Sequence, residues 1–153
     1  MTLSRKIRVL FDIVQEYYWP SMEPVIKAYA ADERYELFLK AGPNQKRRFG
    51  ILLVSRQSEV EQLYLGRGYK ITRDDSGFDI VFCGDTLKNP SRYGNALLVN
   101  LDHGPCIKTL RYRNLLKQPE TQYVVCAEGP YRVKEAPKKV LTSAGQDTET
   151  ALH

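Results

Sequence analysis

Histidine is scarce in this 153-residue chain: only His103 and His153 are present, and His153 is the last residue. Cysteine is scarce too. Cys83, Cys106 and Cys126 are odd in number, widely spaced and form neither a CxxC nor a Cys/His ligand pattern. A metal centre of those types therefore has no support, and no metal or other cofactor is expected. Cys83 and Cys126 lie in apolar runs and read as small core residues. No uninterrupted apolar stretch is long enough to span a bilayer. Residues Met1 to Lys6 are not followed by a signal-peptide pattern, and the run Val9 to Val14 is short and broken by Asp12, so a cytoplasmic location is expected. There is no Walker lysine loop and no GxGxxG, which leaves P-loop and dinucleotide chemistry without local support. Gly66-Arg67-Gly68 reads more simply as a helix stop than as a phosphate cradle. Internal repeats are also lacking.

What is present is ordinary for a soluble globular chain: 42% hydrophobic and 27% charged residues. The length suits one domain with a real core. The expected boundaries are a domain over 1–140 and a polar, disordered tail over 141–153. The net charge of +5 and the isoelectric point near 9.1 favour anionic partners such as phosphorylated metabolites, acidic lipid surfaces or nucleic acid. The plainer reading is a solvated surface with a modest excess of Lys and Arg. Nucleic acid is not expected, because the basic residues are dispersed and no recognition motif occurs.

The apolar patterning alternates between two periods. Lys6 to Ile13 reads as a strand buried on both faces. A helix follows from about Pro20 and Ser21, with Met22, Val25, Ile26, Tyr29 and Ala30 on its apolar face and Pro24 assigned to its first turn. Glu36 to Lys40 is a second strand. Ala41 to Arg48 reads as a loop leading to the start of a helix, and Phe49 to Ser55 fits either a strand or a buried helix. Glu59 to Leu65 is helical, and strands are expected at Tyr69 to Thr72, Phe78 to Cys83, Ala96 to Leu101 and Gln122 to Ala127, with a helix at Ile107 to Leu116. Strands alternating with helices predict an α/β fold, a Rossmann-like parallel sheet with flanking helices.

In such sheets ligands bind beyond the carboxyl ends of the strands. Those ends carry Asp12 to Glu16, Gly84-Asp85, Asp102-His103-Gly104 and Glu128-Gly129-Pro130. His103 suits a general base because an imidazole titrates near neutrality. Gly104 allows close approach of backbone and ligand, and Lys108 at a helix start can pair with a phosphate. Arg111 and Arg113 add positive charge. A strand-end histidine bonded to a loop carbonyl is the competing reading, and a Cys106–His103 nucleophilic pair lacks an orienting third group. Tyr17, Tyr18 and Trp19 either pack a loop under the sheet or line a sugar or glycerol site; packing is the favoured reading. Lys46-Arg47-Arg48 is either a solvated face or the best candidate for touching an acidic membrane.

The motif His103-Gly104-Pro105-Cys106-Ile107-Lys108 resembles the HGxxxK signature of the CDP-glycerol glycerophosphotransferases, the teichoic-acid polymerase and primase family. The opening KIRVLFDI, Tyr18-Trp19-Pro20-Ser21 and Asp79 to Cys83 are similar as well, so the likeness runs from about Lys6 to Lys139. The resemblance implies one half of a GT-B fold, with His103 as the general base that deprotonates an acceptor hydroxyl. It implies CDP-glycerol or a related nucleotide-activated donor, a polyol-phosphate or sugar acceptor, and peripheral contact with the inner membrane face. Substrate contacts are expected from Gly104, Lys108, Asp85, Glu16 and Arg111. Family members continue into a second half that holds most of the donor site. The resemblance therefore implies an acceptor-side domain that is incomplete without a C-terminal half. The alternative is a non-catalytic Rossmann-like module that binds an anionic ligand or a partner.

Overall fold

The computed structural model describes residues 5–43, 45–48, 52–85, 87, 89–101 and 123–125. Strand β1 (Ile7–Ile13) is buried from Val9 to Ile13 and takes the centre of a sheet. A 3₁₀ turn (Glu16–Tyr18) leads into α1 (Trp19–Ala30), then β2 (Tyr35–Ala41). A hairpin of β3 (Gln45–Arg48) and β4 (Leu52–Ser55) precedes α2 (Gln57–Gly66) and the two-residue β5 (Lys70–Ile71). Next come β6 (Ile80–Cys83), a second 3₁₀ turn (Pro90–Tyr93), β7 (Leu97–Asn100) and β8 (Tyr123–Val125).

Six of the strands form one all-parallel sheet in the order β5-β2-β1-β6-β7-β8. Counted along the chain within the sheet, this is the 3-2-1-4-5-6 arrangement of Rossmann-like domains. The strand order reverses between β1 and β6. Connections that step in opposite directions from that point must cross opposite faces if their hand is to be the same. The packing follows this rule. Met22 and Ile26 of α1 and Val60 and Tyr64 of α2 cover Val9, Phe11, Ile13, Leu39 and Phe82 on one face. On the other face Leu10, Val81 and Leu98 pack under Phe78, Leu87 and Tyr93 from the connecting segments. Residues of β1 thus alternate between two cores, as the pleat requires. Phe11 and Phe82 stack at 4.7 Å between ring centroids, with Tyr29 set edge-on to both.

Several expectations are corrected. Residues 45–48 are a strand rather than a loop leading to a helix, because Gln45 to Arg48 pair in antiparallel register with Ser55 to Leu52. Pro24 stands sixth in α1, beyond the first turn, so the bond it would have donated to the Pro20 carbonyl is lost. The helix persists because Met22 and Ile26 are completely buried on either side of that gap. Ala30 is exposed and does not belong to the apolar face. The expected helix at Ile107 to Leu116 and the tail over 141–153 lie outside the described residues. Among the described residues no helix is long and apolar enough to cross a membrane.

Helix α2 ends as the sequence suggests, in a Schellman turn. Gly68 N–H donates to Leu65 O at 2.9 Å and Tyr69 N–H to Tyr64 O at 3.2 Å, with Gly68 at φ +84°. Gly68→Ala is expected to lose about 1–2 kcal/mol by forcing a side chain into the left-handed region. Gly66→Ala, with nothing within 4 Å of the added methyl, is expected to gain up to about 1 kcal/mol. Urea unfolding midpoints of the two variants check this.

A bidentate pair, Arg73 to Glu61 at 3.0 and 2.8 Å, ties α2 to the segment after β5. The hydrogen bonds from Arg73 hold the Glu61 carboxyl below its ordinary pKa, against the opposing effect of burial. A depressed folded-state pKa adds stability that is present above the ordinary carboxylate range. That contribution is lost as pH falls through the lowered value. Glu61→Gln should therefore lower the unfolding midpoint at neutral pH, and its difference from the parent should narrow as pH falls below the ordinary carboxylate range.

Candidate functional site

The turns that leave β1 and β6 part in opposite directions, and a cavity of about 480 Å³ opens between them. This is the crevice at the carboxyl edge where a doubly wound sheet places its ligand. Its volume is within the range of small-molecule sites. Val14 and Gln15, just past β1, form one wall with Tyr17 and Tyr18. Cys83, Gly84 and Asp85, at the end of β6, form the other, and Asn89 and Arg92 close it from the β6–β7 connection.

The absence of a side chain at Gly84 is a packing requirement. A Cβ there would lie 2.6 Å from the ring of Tyr18, so the tyrosine rests directly on the backbone. Tyr18 is buried, and Tyr17 stands edge-on to it at 4.6 Å while remaining 61% exposed. Trp19 stacks on Tyr64 at 5.0 Å with Arg67 over its ring. The aromatic triplet therefore divides: Trp19 packs the structure, Tyr17 lines the cavity, and buried Tyr18 does both.

Below this wall lies a network of charges. Asp12 is the sixth residue of β1, 1% exposed, and in register with Lys40 of β2 and Cys83 of β6. Its carboxylate accepts the hydroxyl hydrogen of Tyr93, and that hydroxyl in turn accepts from Arg92. Arg92 also reaches Asp12 directly at 3.1 Å and lies 3.5 Å from Asp75, which pairs with Lys40. Burial and then the Asp12 charge push the Tyr93 phenol far above its usual pKa, so it stays protonated and donates. Burial works against the Arg92 charge, but the Tyr93 hydrogen bond and the two carboxylates together hold its pKa above the ordinary value. The guanidinium is thus a fixed cation at the cavity wall.

Of the residues expected to contact substrate, Asp85 lines the cavity and is exposed. Glu16 lies at the same edge but does not line it; its carboxylate faces Arg56 at 3.3 Å, at the start of α2. Burial, then the Glu16 charge, raises the Tyr64 phenol to about 12. His103, Gly104, Lys108 and Arg111 lie outside the described residues, as do Cys106 and Cys126. The backbone of Lys46-Arg47-Arg48 is described as part of β3, without its side chains. Arg92, Tyr93 and Asn89 were not anticipated, whereas Gln15 falls within the Asp12 to Glu16 strand end expected at this edge. The one available signal for the first two was Asp12 itself, because a carboxylate inside a buried strand requires partners. Among the described residues no cluster of His, Cys, Asp or Glu could hold a metal ion.

Comparisons of the chain with protein-family models, with curated proteins and with solved structures find no match.

Asp12→Ala should cost about 2 kcal/mol, since it strands the Tyr93 hydroxyl and leaves Arg92 without its buried partner. Tyr93→Phe, which keeps the ring, should cost about 1 kcal/mol. A double-mutant cycle by chemical denaturation should show the two changes to be strongly non-additive.

Proposed function

We propose that this chain is the acceptor-side domain of a GT-B-type glycerophosphotransferase, active together with a donor-binding half. The observation that supports the reading is a carboxyl-edge cavity beside the end of β7, the strand that precedes the histidine motif in the sequence. Strand β7 leaves the sheet at Leu101, whose N–H bonds the carbonyl of Cys83 at 3.0 Å, immediately before Gly84 and Asp85 of the cavity wall. His103 is two residues further along the sequence, and two extended residues cover about 7 Å. In this reading the HGxxxK motif that follows at residues 103–108 serves the cavity.

In this reading the acceptor hydroxyl lies against the cavity wall and His103 takes its proton. The freed oxygen forms a bond to the β-phosphorus of CDP-glycerol. The bond from that phosphorus to the bridging oxygen breaks, and CMP leaves with the oxygen and its electron pair. A protein contributes to such a transfer mainly by positioning and by stabilising charge. Lys108, at the end of the motif, supplies a cation for a phosphate, and Gly104 and Arg111 are the further substrate contacts of this reading. Contact with an acidic membrane surface through basic residues such as Lys46 to Arg48 would bring a membrane-bound acceptor to this edge.

The test is CMP release from CDP-glycerol by the chain combined with a donor-binding half, using a glycerol-phosphate-primed acceptor. His103→Ala should lower the rate by about 10²–10⁴-fold with the circular dichroism spectrum unchanged. Undiminished turnover in that variant removes His103 from the mechanism. Donor or acceptor binding with no turnover by the parent chain favours a non-catalytic binding module.

A further inference from the structure

Arg92 lines the cavity and is held from three directions. Its Nη2 donates to Asp12 at 3.1 Å and to the Tyr93 hydroxyl, and its Nε lies 3.5 Å from Asp75. The guanidinium also lies over the Tyr93 ring, 4.7 Å from the centroid. A guanidinium is a planar fork with three nitrogen corners. With Nε and Nη2 turned to the two carboxylates, Nη1 is the corner on the opposite side. It makes no hydrogen bond or ion pair with any described residue and keeps two N–H donors.

Asn89, three residues earlier, lines the same cavity. Its Oδ1 accepts from the Ser91 hydroxyl at 2.7 Å, which leaves the Nδ2 donors for a ligand. The acceptors on this turn are already used: Asn89 Oδ1 by Ser91, and the Tyr93 hydroxyl by Arg92. Asp85, the other charged residue of the wall, is engaged within the protein. The turn therefore offers a ligand donors. A phosphoryl group suits it, because its terminal oxygens accept several hydrogen bonds and an arginine binds them with charge assistance. The carboxylates behind the guanidinium do not oppose this. Asp12 is met by Arg92 and Tyr93, and Asp75 by Lys40.

We infer that the cavity is a phosphoryl subsite, in which Arg92 Nη1 and Asn89 Nδ2 bind the phosphate oxygens of the acceptor's glycerol-phosphate unit. Asp12 and Tyr93 are positioning residues that fix the guanidinium. The inference rests on the acceptor-side reading above. It adds which group of the acceptor is recognised, and it separates this phosphate from the transferring one assigned to Lys108.

Backbone-amide NMR titrations of the full chain test it, with inorganic phosphate, glycerol 1-phosphate, glycerol and CMP as probes. Phosphate and glycerol 1-phosphate should move the amides of Asn89 and Arg92 and compete with each other, with an affinity that falls as salt is raised. Glycerol at the same concentration should leave those amides in place. Arg92→Lys should weaken phosphate at least about tenfold. Asn89→Asp keeps the side-chain shape and the bond from Ser91 but removes both donors, and should weaken phosphate at least about fivefold. Asn89 is exposed, so its variant keeps the fold even if the Arg92 variant does not. Asn95→Asp adds the same charge at an exposed residue of the same connection outside the cavity, and should change the affinity less than about twofold. Phosphate moving neither amide, glycerol moving them as phosphate does, or equal losses in Asn89→Asp and Asn95→Asp overturns the inference. CMP competing with phosphate where glycerol 1-phosphate does not gives the subsite to the donor and overturns the acceptor assignment. Phosphate binding as described, combined with full CDP-glycerol turnover by His103→Ala, overturns only the role given to His103.

Discussion

Asp12 is a carboxylate at a ladder position of the central strand, with β2 on one side and β6 on the other. Neither neighbour can move away, and water does not reach it, so its charge must be met by side chains brought in from elsewhere. The β6–β7 connection supplies them: Arg92 and Tyr93 are eighty residues and more away in sequence, and they fold over the second face to reach one oxygen. That demand fixes the path of a segment with little regular structure of its own. It also decides which residues of the segment turn inward and which border the cavity.

The two faces of the sheet are accordingly of different character. The face under α1 and α2 is apolar and aromatic from end to end, with the Phe11–Phe82 stack at its centre. The opposite face is apolar over Leu10, Val81 and Leu98 and becomes ionic at the carboxyl end, where Asp12, Lys40, Asp75 and Arg92 meet. The cavity stands where these regimes join. Its aromatic wall comes from the first, through Tyr18 lying on Gly84, and its fixed charge from the second.

The central strands were legible because burial on both faces leaves a nearly unbroken apolar run, as in residues 7–13 and 80–83. Helix α2 was legible from its spacing and its glycine stop. The hairpin of β3 and β4 was not, because Gln45-Lys46-Arg47-Arg48 has no alternation and its strand character comes from pairing with Leu52 to Ser55. Ala30 was assigned to the core on spacing alone but is exposed, and in that last turn of α1 it is Tyr29 that packs on Phe11 and Phe82. For the site, topology marked the carboxyl edge and Asp85 upon it, while Glu16 shares that edge and turns to Arg56 instead. Arg92 carried no local signal, since an arginine in a polar connection looks the same whether it is solvated or bound to a strand across the fold.

The flank of the sheet formed by β5 has a further consequence. That strand is two residues long, meets β2 only at Phe38 and Leu39, and sets Lys70 in an ion pair with Glu36. A ledge so short and so charged is a poor template for an incoming chain, which would find neither a row of backbone donors nor an apolar stripe to align on. Fibril growth and strand exchange are therefore discouraged on this side without any covering helix. Along this flank, copies of the domain crowded together meet a strand of only two residues to zipper to.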